Sequence, residues 1–114
     1  NRVVAVPSLK AALIVADFYQ LLDTSDVPGG VINLVTGVPS ELATVLAAHD
    51  DVAAIWAVGP ADECEQIKKV SAGNLKSVWT SDGKSPDWYD SQAEGSSWLE
   101  RATQVKNIWV PYGE

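Results

Sequence analysis

The sequence is poor in several residue types, and each shortage excludes a class of chemistry. Its 114 residues contain no methionine, one cysteine and one histidine. With Cys64 as the single cysteine, no disulfide can form within the chain, which fits a reducing compartment, and we expect the protein to be cytoplasmic. Cys64 and His49 alone cannot supply a zinc-type cluster, and no acidic spacing resembles a calcium loop, so we predict no metal site.

Positive charge and long apolar runs are also scarce. Eight basic residues stand against fifteen acidic ones, which gives a net charge of −7, and Lys68 and Lys69 form the one adjacent basic pair. Nucleic-acid binding requires clustered basic side chains that neutralise phosphates, so we expect no nucleic-acid partner. No run approaches the roughly 18 apolar residues of a membrane-spanning helix, so we expect no membrane partner.

The lack of methionine and the start at Asn1 predict a processed product or a piece of something longer. The first residues, RVVAV, already have the pattern of a buried strand, which favours a piece. The length allows one domain at most, with one modest core.

A regular alternation of strands and helices is present. Apolar runs and helical spacings predict strands and intervening helices over these ranges in turn: 2–6, 9–23, 31–35, 39–49, 52–58, 61–72 and 75–79. This alternation predicts an α/β fold: a three-layer Rossmann-like parallel sheet with helices on both faces. The third strand, 52–58, is almost continuously apolar, so we expect it to be buried on both faces.

The pattern changes after Pro86. Residues 87–101 have no hydrophobic period and are predicted to be a linker, with a short helical piece near 97–104 and a last strand over 107–112. Trp56 is expected in the core. The other four tryptophans, each of which could belong either to a local core or to an interface, are Trp79, Trp88, Trp98 and Trp109.

The stretch VWTSDGKSP at 78–86 contains the Gly-Lys-Ser of a phosphate-binding loop. Such a loop requires another glycine five positions before Gly83, where the chain has Val78. Trp79 and Asp82 would also place a bulky ring and a carboxylate against the phosphate oxygens. We therefore reject a phosphate loop.

Four stretches, in order, resemble the cofactor-binding domain of the aldehyde dehydrogenase superfamily. NRVVAVPS is similar to N-T-V-V-x-K-P-S-E, and VPGGVINLVTG is similar to L-P-x-G-V-x-N-V-V-T-G. AAHDDVAAIWAVGPA resembles H-P-x-V-x-x-I-x-F-T-G-S-T, and SAGNLKSVWTSDGKSP resembles A-x-x-N-L-K-x-V-x-L-E-L-G-G-K-S-P. On this resemblance, residues 1–86 form a degenerate Rossmann-like domain of that family.

The resemblance implies a site for NAD, but the chain departs from the pattern there. The family's lysine and glutamate that hold the adenosine ribose correspond to Val6 and Leu9, and unpaired ribose hydroxyls cost roughly 1–3 kcal/mol per buried group. Pro60 follows Gly59 at the pyrophosphate turn and removes an N–H donor. The following helix starts with acids that compete with a pyrophosphate for its N-terminus, namely Asp62, Glu63 and Glu65.

The resemblance also implies that the catalytic groups are missing. The family's general base, the glutamate of E-L-G-G, corresponds to Thr80, and a threonine hydroxyl cannot take up a proton at neutral pH. The family's nucleophilic cysteine lies in a catalytic domain far downstream, whereas only residues 87–114 follow here. A pair of Cys64 with His49 is the one remaining route to a thiolate, and the two lie in different predicted helices.

The tail resembles another part of the same family. ATQVKNIWV at 102–110 is similar to Y-T-Q-V-K-x-V-W-V, a strand of the family's oligomerisation element. Residues 102–114 are therefore expected to be an oligomerisation-type strand, and the arrangement looks like the non-catalytic C-terminal domain of the sixteenth aldehyde dehydrogenase family. The interface candidates are Val105, Ile108, Trp109 and Val110.

Three hypotheses follow. The first is a module that is not an enzyme on its own, binds no cofactor, and pairs with itself as a homo-oligomer or with the catalytic part of a longer aldehyde dehydrogenase. The second is a vestigial NAD-binding domain, although turn geometry alone could explain its glycines. The third is an active dehydrogenase or esterase, which the missing residues disfavour. The cofactor positions kept from the family are Pro7, Ser8, Thr36, Gly37 and Gly59.

Overall fold

The computed structural model describes residues 1–113 and gives the predicted alternation of strands and helices. A 3₁₀ turn, Leu9–Ala11, leads into the first helix, and another, Ser71–Gly73, follows the third. The strands and helices are β1 (Val3–Ala5), α1 (Ala12–Asp23), β2 (Ile32–Leu34), α2 (Pro39–Ala48), β3 (Ala54–Ala57), α3 (Ala61–Val70), β4 (Ser77–Thr80) and α4 (Ser96–Arg101).

Local sequence explains where the two central helices begin and end. Pro39 occupies the first turn of α2, where its fixed φ suits the helix and its missing N–H costs nothing. Helix α3 has acids in its first turn and lysines in its last, which matches the polarity of the helix dipole.

The strands form two parallel pairs. β1 pairs with β2, with Val3 opposite Ile32, and β3 pairs with β4, with Trp56 opposite Trp79. The α/β class and the parallel pairing are as predicted. The prediction also placed one continuous sheet between two layers of helices. Among residues 1–113 the strands do not form one sheet, because each strand has one hydrogen-bonded neighbour. Strands of three or four residues offer few backbone groups and few cross-strand side-chain pairs to fix a third neighbour.

The core lies on one face of the β3–β4 pair. Ala47 of α2, Ile55 of β3 and Ile67 of α3 are buried together, and Val78 of β4 packs against them. The prediction that 52–58 is buried on both faces is wrong, and so is the placement of Trp56 in the core, because its side chain is 42% exposed. Successive side chains of a strand point to opposite faces, and α2 and α3 cover the face that carries Ile55, not the one that carries Trp56.

The second face of the β3–β4 pair carries a cluster of tryptophans. Trp56 and Trp79 lie side by side with ring centroids 6.2 Å apart, and Trp98 of α4 packs on both, at 5.5 Å and 4.9 Å. Trp88 extends the cluster, at 5.6 Å from Trp98. The short helix predicted near 97–104 is therefore present as α4 and packs over the sheet.

Residues 103–113 have no regular secondary structure, so the strand predicted over 107–112 is not formed there. A strand requires a neighbour that accepts its backbone hydrogen bonds, and none of the described strands pairs with this segment. The predicted range 102–114 ends at Glu114, outside the described residues. No helix within residues 1–113 has the length and apolar character to cross a bilayer.

Candidate functional site

The turns after β3 and β4 are tied together at the carboxyl ends of these strands. The Gly59 N–H donates a hydrogen bond to Ser81 Oγ at 3.2 Å, and the Gly83 N–H donates to the Gly59 carbonyl at 3.1 Å. Ser81 is buried. Gly59, a predicted cofactor residue, thus has both backbone polar groups engaged by the loop that follows β4.

The same loop lies against the N-terminus of α3. A Cβ added to Gly83 would be 3.5 Å from the Ala61 nitrogen, and Gly83 has a φ of 80°, which favours glycine. The Glu63 carboxylate approaches the other turn, because a Cβ added to Gly59 would be 3.5 Å from Glu63 Oε2. A loop and an anion thus lie beside the helix N-terminus that a pyrophosphate would need, which disfavours a dinucleotide there.

Thr80, which the sequence predicts at the position of the family's general base, has its hydroxyl hydrogen-bonded to a neighbour. Its Oγ1 donates to Asp82 Oδ1 at 2.6 Å, and the Lys68 ammonium donates to the same oxygen at 2.5 Å. The hydrogen bond from Lys68, then that from Thr80, lowers the pKa of Asp82 below its ordinary value of 3.8, and the charge of Lys84 adds to this. Asp82 is therefore a well-ionised carboxylate and a weak base.

Asp82 also has an unusual backbone. Its φ of 49° lies in the left-handed region, which aspartate tolerates better than most residues other than glycine. The ion pair between Asp82 and Lys68 joins the loop after β4 to the third turn of α3, so the Asp82 carboxylate has a structural role.

The other cofactor candidates lie beyond β1 and β2. Pro7 is half-buried, whereas Ser8 and Thr36 are exposed, and the Ser8 carbonyl accepts the Ala11 N–H at 2.9 Å. A Cβ on Gly37 would come within 2.9 Å of Leu42 Cδ1, so a larger residue there would require the Leu42 side chain to shift.

Cys64 and His49 have separate surroundings. Cys64 is 1% exposed, and its Sγ lies 3.6 Å from the Gly59 carbonyl oxygen. His49 ends α2 in an exposed position, and its Nδ1 accepts the Asp51 N–H at 3.2 Å. No hydrogen bond links the two within residues 1–113. In that same part of the chain, no three His, Cys, Asp or Glu side chains converge as a metal site would require.

The sequence did not reveal the role of Asn74 and Lys76, which belong to the stretch NLK. The Lys76 ammonium donates to the carbonyls of Ala47 and His49, at 2.6 Å and 2.8 Å, and so caps the C-terminus of α2. The Asn74 side chain donates to the Asp50 carbonyl at 2.9 Å. One signal in the sequence could have indicated this role: α2 is followed by His49 and not by a glycine, so its last carbonyls need a donor from elsewhere.

The predicted interface residues all lie on the exposed tail. Ile108 and Trp109 are 85% and 92% exposed, and Val105 and Val110 are also open to solvent. These four residues lie together on the segment 103–113. The cofactor candidates lie on other loops.

The fold, a mixed α/β arrangement of small parallel strand pairs and helices, is compatible with a Rossmann-like fragment. The sequence model of the aldehyde dehydrogenase family matches residues 1–104. The chain belongs to this family, which confirms the resemblance found in the sequence.

The chain spans about one sixth of the length of the curated relatives it matches. It is 38% identical over 85 residues to (Z)-2-((N-methylformamido)methylene)-5-hydroxybutyrolactone dehydrogenase of Acinetobacter baylyi, covering 74% of this chain and 17% of the relative. It is 35% identical over 78 residues to 2-aminomuconic semialdehyde dehydrogenase of Mus musculus, covering 68% and 16%. It is 33% identical over 84 residues to the NADP/NAD-dependent aldehyde dehydrogenase PuuC of Escherichia coli, covering 73% and 17%. No solved structure gives a significant match.

Proposed function

We propose that this chain is a non-catalytic module of the aldehyde dehydrogenase family, with a structural or oligomerisation role within a longer dehydrogenase. Its arrangement looks like the C-terminal domain of the sixteenth aldehyde dehydrogenase family. The observation that carries the proposal is the combination of a loop and a carboxylate beside the N-terminus of α3 with an apolar, solvent-exposed tail.

Two features support the lack of catalysis. The hydroxyl at the base position, Thr80, donates to an ionised carboxylate and cannot accept a substrate proton. The single thiol, Cys64, is a buried residue of α3 with its Sγ 3.6 Å from the Gly59 carbonyl oxygen, so a substrate could not reach it without displacing this packing. The buried single cysteine also agrees with a cytoplasmic location.

The proposal assigns no cofactor. Glu63 brings a negative charge to the turn at Gly59, and the loop around Gly83 lies against the N-terminus of α3. A pyrophosphate there would meet charge repulsion and would have to displace this loop.

A thermal-shift titration tests this assignment. A ligand that binds only the folded state raises the melting temperature. Since the proposal assigns no cofactor, we expect no rise in the melting temperature of the chain at millimolar NAD. The Glu63→Gln variant, which removes the charge but keeps the shape, serves as the matched comparison. A rise for the unsubstituted chain would favour the vestigial NAD-binding domain instead.

The tail supplies the proposed contact. Val105, Ile108, Trp109 and Val110 offer apolar side chains on a segment whose backbone has no strand partner among residues 1–113. Such a segment can add to the edge of a neighbouring sheet, where main-chain hydrogen bonds supply affinity and alternate side chains enter pockets. The receiving sheet belongs to a second copy or, as we propose, to the catalytic part of an aldehyde dehydrogenase.

The test mixes this chain with a full-length dehydrogenase that it matches and measures mass by light scattering. We expect a complex with the unsubstituted chain and none with the Ile108→Asp/Val110→Asp variant, because the two carboxylates would be buried in the contact. Tyr89→Asp, an equally exposed position outside the tail, should leave the complex intact. A complex that survives the tail substitutions, or no complex at all, would refute the proposed role of the tail.

A further inference from the structure

We draw no further inference here: the strongest candidate, the solvent-exposed apolar face of α1 around Leu13, Ile14 and Leu21, carries none, because nothing in the structure shows what covers it.

Discussion

At the scale of single residues, long polar side chains hold separate parts of the chain together. Lys76 reaches from the start of β4 to the last carbonyls of α2, and Lys68 reaches from α3 to Asp82. Each joins groups that are far apart in sequence. Such contacts matter more here than in a larger domain, because only a few apolar side chains are fully buried.

We expect Lys76→Met to lower the free energy of unfolding by about 1–3 kcal/mol, the range for losing hydrogen bonds from a charged group. The carbonyls of Ala47 and His49 would lose their donor while the apolar stem remains. Urea unfolding measures the change. Lys69→Met is the control, because its ammonium lies 3.9 Å from Glu65 on an exposed surface and contributes at most about 1 kcal/mol. Equal losses in both variants would contradict the capping role.

The sequence predicted some of these residues and missed others for a definite reason. Alignment of the motif around Lys84 predicts that Thr80 stands in place of the family's base, since that inference requires only local spacing. The hydrogen bond from Thr80 to Asp82 and the ion pair to Lys68 depend on how α3 lies beside β4, which local spacing does not contain.

At the scale of elements, α4 completes the second face of the β3–β4 pair. Its Trp98 packs edge to face on Trp79, and Arg101 lies 5.6 Å from the centre of the same ring. Aromatic pairs in this arrangement contribute beyond the area they bury. The segment that follows the family's K-S-P motif thus folds back on the domain.

We expect Trp98→Ala to destabilise the fold by about 1–3 kcal/mol, less than a fully buried tryptophan would, because Trp98 is half-buried. Near-ultraviolet circular dichroism should also lose intensity, since the packed indoles would no longer hold a fixed geometry. Trp109→Ala removes an indole that is 92% exposed and should leave both properties almost unchanged. Identical behaviour of the two variants would argue against the cluster.

Element type was easier to predict than burial. The hydrophobic period and the helix-breaking residues predicted the bounds of α2 and α3 almost to the residue, because Pro39 and Gly59-Pro60 mark where these helices begin. Burial of 52–58 and the last strand over 107–112 were wrong for the same physical reason. An apolar run shows that a segment prefers to be covered, and it does not show that a covering layer or partner strand is present.

At the scale of the whole molecule, the chain is more open than its length suggests. Its radius of gyration is 16.6 Å, whereas a compact domain of this size has about 13 Å. The excess comes from two features: the uncovered β1–α1–β2 unit and the extended tail. The proposed contact of the tail uses part of this excess surface.

The two isolated strand pairs carry a hazard as well. Within residues 1–113, β1, β2, β3 and β4 each keep one side without a ladder partner, so every strand offers bare amides and carbonyls to a neighbour. With a net charge of −7, mutual repulsion is the main colloidal barrier against edge-to-edge growth into fibrils. Acidification to the isoelectric point, near pH 4.5, would bring the net charge to zero and remove that barrier.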